Sequence, residues 1–384
     1  MKLTRLFDDF VHSEKTGGII LIVCTIVSLL LANCGFADGY VHFWHTPVAG
    51  APVEYWINDG LMAIFFLLIG LELEREVYIG ELSNIKDAAL PIFGALGGML
   101  VPAGIFLMLN MGLPTQSGAG IPMATDIAFA LGILSLLGKR VPTSLKIFLT
   151  ALAVIDDLGA ILVIALFYTK NIVFENLFIA IGIFIVLLAL NRLKVRNLIP
   201  YLAGGIAMWY FMLHSGVHAT ITGVLVAFAI PFGNGGPKST SYILQHFLHR
   251  PVSFIILPLF AMANTAIILS PSSVEAFSEH FGLGIVLGLI VGKPLGIFLF
   301  AFAAVSLGFC KLPNDMNWKL LFGVGLLGGI GFTMSIFIAL LAFDDASIIS
   351  NSKFVIMAAS VIAGIAGFLY LKYALKKHQD EKAV

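Results

Sequence analysis

Ala153-Val154-Ile155-Asp156-Asp157-Leu158-Gly159 places two consecutive carboxylates inside an apolar run that extends over 145–169. A run of that length matches the roughly 20 apolar residues a helix needs to cross a bilayer. The rest of the chain has the same character. Of 384 residues 59% are hydrophobic and only 11% are charged, and the mean hydropathy is +1.00. Soluble domains carry roughly 25% charged residues, so a soluble globular fold is excluded. The abundance of apolar residues excludes disorder. Lys+Arg 22 and Asp+Glu 22 cancel, which leaves no strongly basic face for a nucleic-acid partner. Glycine, at 39 residues, suits close helix packing in lipid. Cys24, Cys34 and Cys310 form neither a metal spacing nor an even-numbered disulfide set.

Hydropathy outlines further candidate spans on both sides of 145–169: 17–33, 56–71, 88–110, 121–138, 173–190, 199–213, 217–231, 251–270, 282–306, 320–343 and 352–375. The expectation is an all-α polytopic membrane protein of about twelve transmembrane helices in one domain, 1–384. Continuous apolar runs argue against a barrel, whose strands alternate. The first residues are charged in both signs and lack a small-residue cleavage site, so no removable signal peptide is expected. Loop charge fixes the orientation. With the N-terminus cytoplasmic, 19 of the 22 Lys and Arg fall in cytoplasmic segments and two, Lys170 and Lys353, in external loops; Lys293 lies within a span. Both termini are therefore expected in the cytoplasm.

Four ionisable residues lie at membrane depth: Asp126, Asp156, Asp157 and Lys293. Each costs roughly 3 kcal/mol at a helix centre, about 12 together, which rivals the net stability of a whole domain, about 5–15 kcal/mol. A structural Asp–Lys pair accounts for one acid and one base and leaves two carboxylates unexplained. Neighbours on a helix point about 100° apart, and at about 5 Å and an effective dielectric of 20 two carboxylates repel by roughly 3 kcal/mol. Such a pair holds either a proton or a cation, and its oxygen ligands suit a hard cation. Lys293, in Gly292-Lys293-Pro294-Leu295-Gly296, can neutralise one acid, and a desolvated lysine can itself titrate.

Asp126 follows Gly118-Ala119-Gly120-Ile121-Pro122-Met123-Ala124-Thr125, a stretch whose glycines and proline weaken a helix just before two good N-cap residues. Another interrupted span, Gly323 to Thr333, contains Gly328, Gly329 and Gly331. The two are the fourth and eleventh spans, the middle members of the triplets 88–169 and 282–375. Breaks at matching places predict inverted-topology repeats whose discontinuous helices cross at the midplane.

These residues resemble the bacterial NhaA-type sodium/proton antiporters, a family that is itself a recognised example of inverted-repeat architecture. The resemblance runs nearly end to end, from His12-Ser13-Glu14 and Gly17-Gly18 to the last span. Its most specific pieces are Ile57-Asn58-Asp59-Gly60, Gly70-Leu71-Glu72, Ala124-Thr125-Asp126-Ile127-Ala128-Phe129-Ala130, Ile155-Asp156-Asp157-Leu158-Gly159, Ser215-Gly216-Val217-His218-Ala219-Thr220, Gly292-Lys293-Pro294-Leu295-Gly296 and Gly329-Ile330-Gly331-Phe332-Thr333-Met334-Ser335.

The resemblance implies an electrogenic, pH-regulated exchanger of Na⁺ or Li⁺ for H⁺ in the bacterial inner membrane, serving pH homeostasis and salt tolerance, without cofactor or nucleotide. Asp157 is implied as the more direct ion ligand with Thr125 nearby, Asp156 as the partner of Lys293, and Asp126 and Lys293 as compensators of the half-helix dipoles. Asp59 is implied to support the structure or the external funnel, and Glu72, Arg75, Glu76, His246 and His249 to form a cytoplasmic pH sensor, with His218 influencing the pH response. Gln245 and Glu74 depart from the best-known pattern, which has glutamate and lysine there. A homodimer is implied, through the external loop 39–52.

Other classes fit less well. An intramembrane aspartyl protease would show a Gly-x-Gly-Asp context and gives Lys293 no role. No Walker A loop supports an ATP-driven pump. A sodium-coupled symporter of an organic solute shares the crossed-helix expectation and would need a larger cavity.

Overall fold

A computed structural model describes the backbone of residues 2–169 and 172–382; Lys170, one of the two external cations, lies outside the described residues. The fold is mostly helical. Its helices are α1 (Lys2–Ala32), α2 (Ala37–His45), α3 (Val53–Tyr78), α4 (Ile85–Asn110), α5 (Ile127–Leu136), α6 (Thr143–Phe167), α7 (Phe174–Arg192), α8 (Ile199–Leu213), α9 (Ile221–Ala229), α10 (Thr240–Asn264), α11 (His280–Ser306), α12 (Trp318–Gly328), α13 (Phe332–Ala342) and α14 (Ala346–Lys382). A 3₁₀ segment, Pro114–Met123, precedes α5. Wide π turns interrupt α3 at Trp56–Leu61, α10 at Val252–Ile256 and α11 at Gly288–Gly292.

Seven helices among the described residues are long and apolar enough to cross a membrane, and ten if each of three bent pairs counts as one span. The bends are 114° between α1 and α2, 40° between the 3₁₀ segment and α5, and 47° between α12 and α13. The two remaining candidates of the sequence-based twelve are short. Helix α8 has 15 residues and α9 only 9. The run 217–231 reads as apolar, but Gly216 adopts φ +84° and the chain turns until Thr220, so the helix begins at Ile221. The loop 39–52 is not irregular: it holds most of α2 and an antiparallel pair, β1 (Pro47–Val48) and β2 (Ala51–Pro52). Ala49 and Gly50, both at positive φ, form the two-residue turn that matches strand twist. Lys353, assigned by charge counting to an external loop, lies buried within α14.

Helices approach closely where side chains are absent. Gly97 on α4 and Gly296 on α11 face each other so tightly that a methyl on either would collide with the other's carbonyl oxygen. Small residues permit this backbone contact in lipid, where packing rather than water exclusion drives association. It fixes α11, and with it Lys293 one turn earlier. Gly97→Val should destabilise the protein by about 1–3 kcal/mol through overpacking, whereas Gly104→Ala on the same helix, where an added Cβ meets nothing within 4 Å, should be neutral. Equal melting temperatures for the two variants in detergent would refute the close crossing.

Candidate ion-binding site

The backbone breaks between Met123 and Ile127 and between Gly328 and Phe332 lie against each other. Asp126 N–H donates to the Ile330 carbonyl at 2.7 Å. At membrane depth no water or lipid group satisfies freed backbone atoms, so protein must do it. Asp126 caps two helices at once. Its Oδ1 accepts from Phe129 N–H of α5 at 3.0 Å; its Oδ2 accepts from Thr333 N–H at 3.0 Å and from Thr333 Oγ1 at 2.5 Å, at the start of α13. Both helix N-termini favour the negative charge.

The opposite charge serves the chain ends that terminate at the breaks. Lys293 Nζ donates to the Met123 carbonyl at the end of the 3₁₀ segment and lies 2.6 Å from Asp156 Oδ2. Thr125 Oγ1 lies 2.7 Å from the same Asp156 oxygen and 3.0 Å from the Gly328 carbonyl; its one proton serves one acceptor at a time. Lys293 is fully buried, and Asp126, Asp156 and Asp157 are at most 2% exposed. A charge pair so placed must be well hydrogen-bonded to offset its desolvation.

Asp157 differs. Neither of its oxygens has a protein hydrogen-bond partner, and neither does Asp156 Oδ1. Asp157 faces a cavity of ≈ 10 Å³ shared with Thr125, Asp126 and Thr333 and walled by Phe65, Leu257 and Met334. That volume is about the lower bound for one water molecule. A buried, unpartnered carboxylate cannot stay charged cheaply, so it takes a proton or a cation. Three further oxygen-bearing residues, Thr125, Asp126 and Thr333, line the same cavity. Among the described residues no three His, Cys, Asp or Glu side chains cluster as a resident metal site would require.

The remaining candidates lie elsewhere. His249 Nδ1 is 3.9 Å from Glu72 Oε1, the Arg75 guanidinium lies 4.9 Å over the Tyr242 ring, and His246 stacks on that ring at 6.0 Å. These five residues join the ends of α3 and α10. Glu76 Oε2 accepts from Glu81 N–H at 3.0 Å. Glu74 is buried on α3, with Oε2 lacking a partner. Asp59 sits in the π turn at the far end of α3, partly buried. His218 Nε2 is 2.9 Å from the Tyr168 carbonyl. Gly329 lets the turn pass the Leu289 carbonyl, which a side chain would strike. Thr333 and Ser335 escaped the sequence reading; Ser335 Oγ donates to the Ile121 carbonyl at 2.6 Å and ties the second break to the first. Their position just after a glycine break was the available signal.

Fold and site together define a polytopic helical membrane protein in which two interrupted helices meet beside buried carboxylates and a buried lysine. The chain belongs to the Na⁺/H⁺ antiporter 1 family, whose pattern it matches over residues 8–371. It is 71% identical over 376 residues to the Na⁺/H⁺ antiporter NhaA of Flavobacterium psychrophilum, an overlap of 98% of each chain. The NhaA antiporter of Cytophaga hutchinsonii is 62% identical over 377 residues, 98% of this chain and 97% of that one. The NhaA antiporter of Dechloromonas aromatica is 58% identical over 376 residues, 97% of each.

Removing one member of a buried ion pair strands the other. Lys293→Met should therefore lower stability by about 3–5 kcal/mol, and adding Asp156→Asn should restore part of the loss. A thermal double-mutant cycle measures the coupling; additive effects would mean that the two side chains do not interact.

Proposed function

We propose that this chain is a secondary transporter exchanging Na⁺ or Li⁺ for protons, with Asp157 and Asp156 as the shared site and no chemical reaction catalysed. The observation that carries the reading is the unpartnered Asp157 carboxylate in a cavity sized for an ion, next to an Asp156–Lys293 pair. With the pair closed, Lys293 and Thr125 occupy Asp156 while Asp157 holds a proton. An arriving cation takes Asp157, together with the free Asp156 oxygen and the Thr125 hydroxyl, and Asp157 releases its proton. Drawing Asp156 toward the cation weakens its hold on Lys293, whose ammonium then releases a second proton. Two protons against one cation move net charge, worth roughly 2.3 kcal/mol per 100 mV. Exchange by the named relatives supports the assignment. The small cavity favours an ion over the organic solute of a symporter.

The finer architecture belongs to the same proposal. Twelve spans result if α8 and α9 also traverse the bilayer, with the helices broken at Thr125-Asp126 and Gly329-Gly331 crossing as an inverted repeat. The charge balance of the loops supports an inner-membrane protein with both termini in the cytoplasm. The Glu72–His249 and Arg75–Tyr242–His246 contacts support pH regulation at the cytoplasmic face. The β1–β2 hairpin, with its unpaired strand edges, supports a homodimer formed by pairing with a second copy.

Asp157→Asn keeps the shape but can neither hold a cation's charge nor exchange a proton. In liposomes it should abolish sodium-driven proton movement while the protein remains folded; near-normal exchange would remove Asp157 from the site. A second test uses pH. Protonated Asp157 repels no proton and attracts no cation, so binding Na⁺ requires losing protons. Apparent Na⁺ affinity should rise with pH, about tenfold per unit for each displaced proton, and level off once the site is deprotonated. An affinity unchanged across pH would mean that protons and Na⁺ travel by separate routes.

A further inference from the structure

A second cavity, of about 200 Å³, opens where α5 ends against α14. Leu136 and Leu137 line it from α5 and Arg140 from the 3₁₀ turn Gly138–Arg140; Phe368, Lys372 and Leu375 line it from one face of α14. Its two cations are exposed, and among the described residues neither forms an ion pair. Among the described residues no acidic side chain lines it. Two like charges converging on one cavity repel unless an anion lies between them. Around that charged mouth the walls are apolar, and Leu136, at the end of α5, is 52% exposed.

We propose that this cavity binds the headgroup of an anionic phospholipid. Arg140 and Lys372 hold the phosphate, Arg140 offering a planar fork of donors and Lys372 a point charge. Leu136, Leu137 and Phe368 lie against the glycerol and upper acyl segment. Basic pockets between transmembrane helices on the cytoplasmic side take such headgroups, whereas a soluble anion has no use for three apolar contacts on the lipid-facing side. The lipid bridges the C-terminal end of α5, the half-helix whose N-terminus is Asp126, to the long α14. This inference rests on the orientation proposed above and is otherwise independent of the transport assignment.

The test is binding. The full-length protein, purified in mild detergent, is titrated with phosphatidylglycerol, with phosphatidylcholine and with phosphatidylglycerol in the presence of excess inorganic phosphate; bound lipid is counted by native mass spectrometry. Each basic charge near a membrane surface contributes roughly 1 kcal/mol, so Arg140→Gln with Lys372→Gln should weaken one phosphatidylglycerol site about 30-fold, and each single variant about fivefold. Arg140→Lys with Lys372→Arg should retain most binding, and Lys311→Gln with Lys319→Gln should leave this site unchanged. If the double glutamine variant does not fold, the single variants carry the comparison. The proposal is overturned if the glutamine variants keep every bound lipid, if phosphatidylcholine binds equally, or if inorganic phosphate displaces the lipid.

Discussion

Lys293 is the point on which the interior depends. Its ammonium sits on α11, bonds a carbonyl freed where the 3₁₀ segment ends, and pairs with a carboxylate on α6. Three separate parts of the chain are thus joined by one charge. Asp126 mirrors it, joining the beginnings of α5 and α13 with one carboxylate. The arrangement follows from the solvent. Hydrocarbon offers nothing to an exposed N–H or C=O, so a helix can break at depth only where protein charge and hydroxyl groups receive the loose ends. In the proposed exchange those same groups are what a cation and a proton compete for. The polar interior that makes the interruptions tolerable would then also supply the chemistry of the candidate site.

Much of this was legible in the sequence, because charge at membrane depth is rare enough to read individually. Asp126, Asp156, Asp157 and Lys293 stood out against apolar runs, and glycines and a proline marked both breaks. What escaped is what hydropathy prices weakly. Thr333 and Ser335 cost little inside an apolar span, since a hydroxyl can bond to its own helix, so their roles at the second break left no trace in a hydropathy profile. The run 217–231 was bounded too early because hydropathy averages over a turn set by one glycine, and α9 begins only at Ile221. Lys353 was assigned to a loop because charge counting cannot see that a lysine lies buried along a helix.

The interior divides into stiff and interrupted parts. Helices α4 and α11 meet backbone to backbone at Gly97 and Gly296, a contact with no side chain to readjust. By contrast α5 and α13 are short, 10 and 11 residues, and each begins at a break secured by Asp126. Short helices derive their order from their surroundings rather than from intrinsic propensity. The proposed change of charge beside Asp126 therefore bears on what holds α5 and α13 rather than on the crossing of α4 and α11.

The wide turn at Gly288–Gly292 has a geometric consequence for α11. A π turn amounts to one extra residue inserted into an α-helix, and each residue advances the helix by about 100°. Every position after the turn is thus out of phase with those before it. Helix α11 thereby departs from the regular four-residue spacing that would stack 285, 289 and 293 on a single stripe. Shortening the helix by one residue in this turn would rotate the lysine away from Asp156 without altering any side chain of the site.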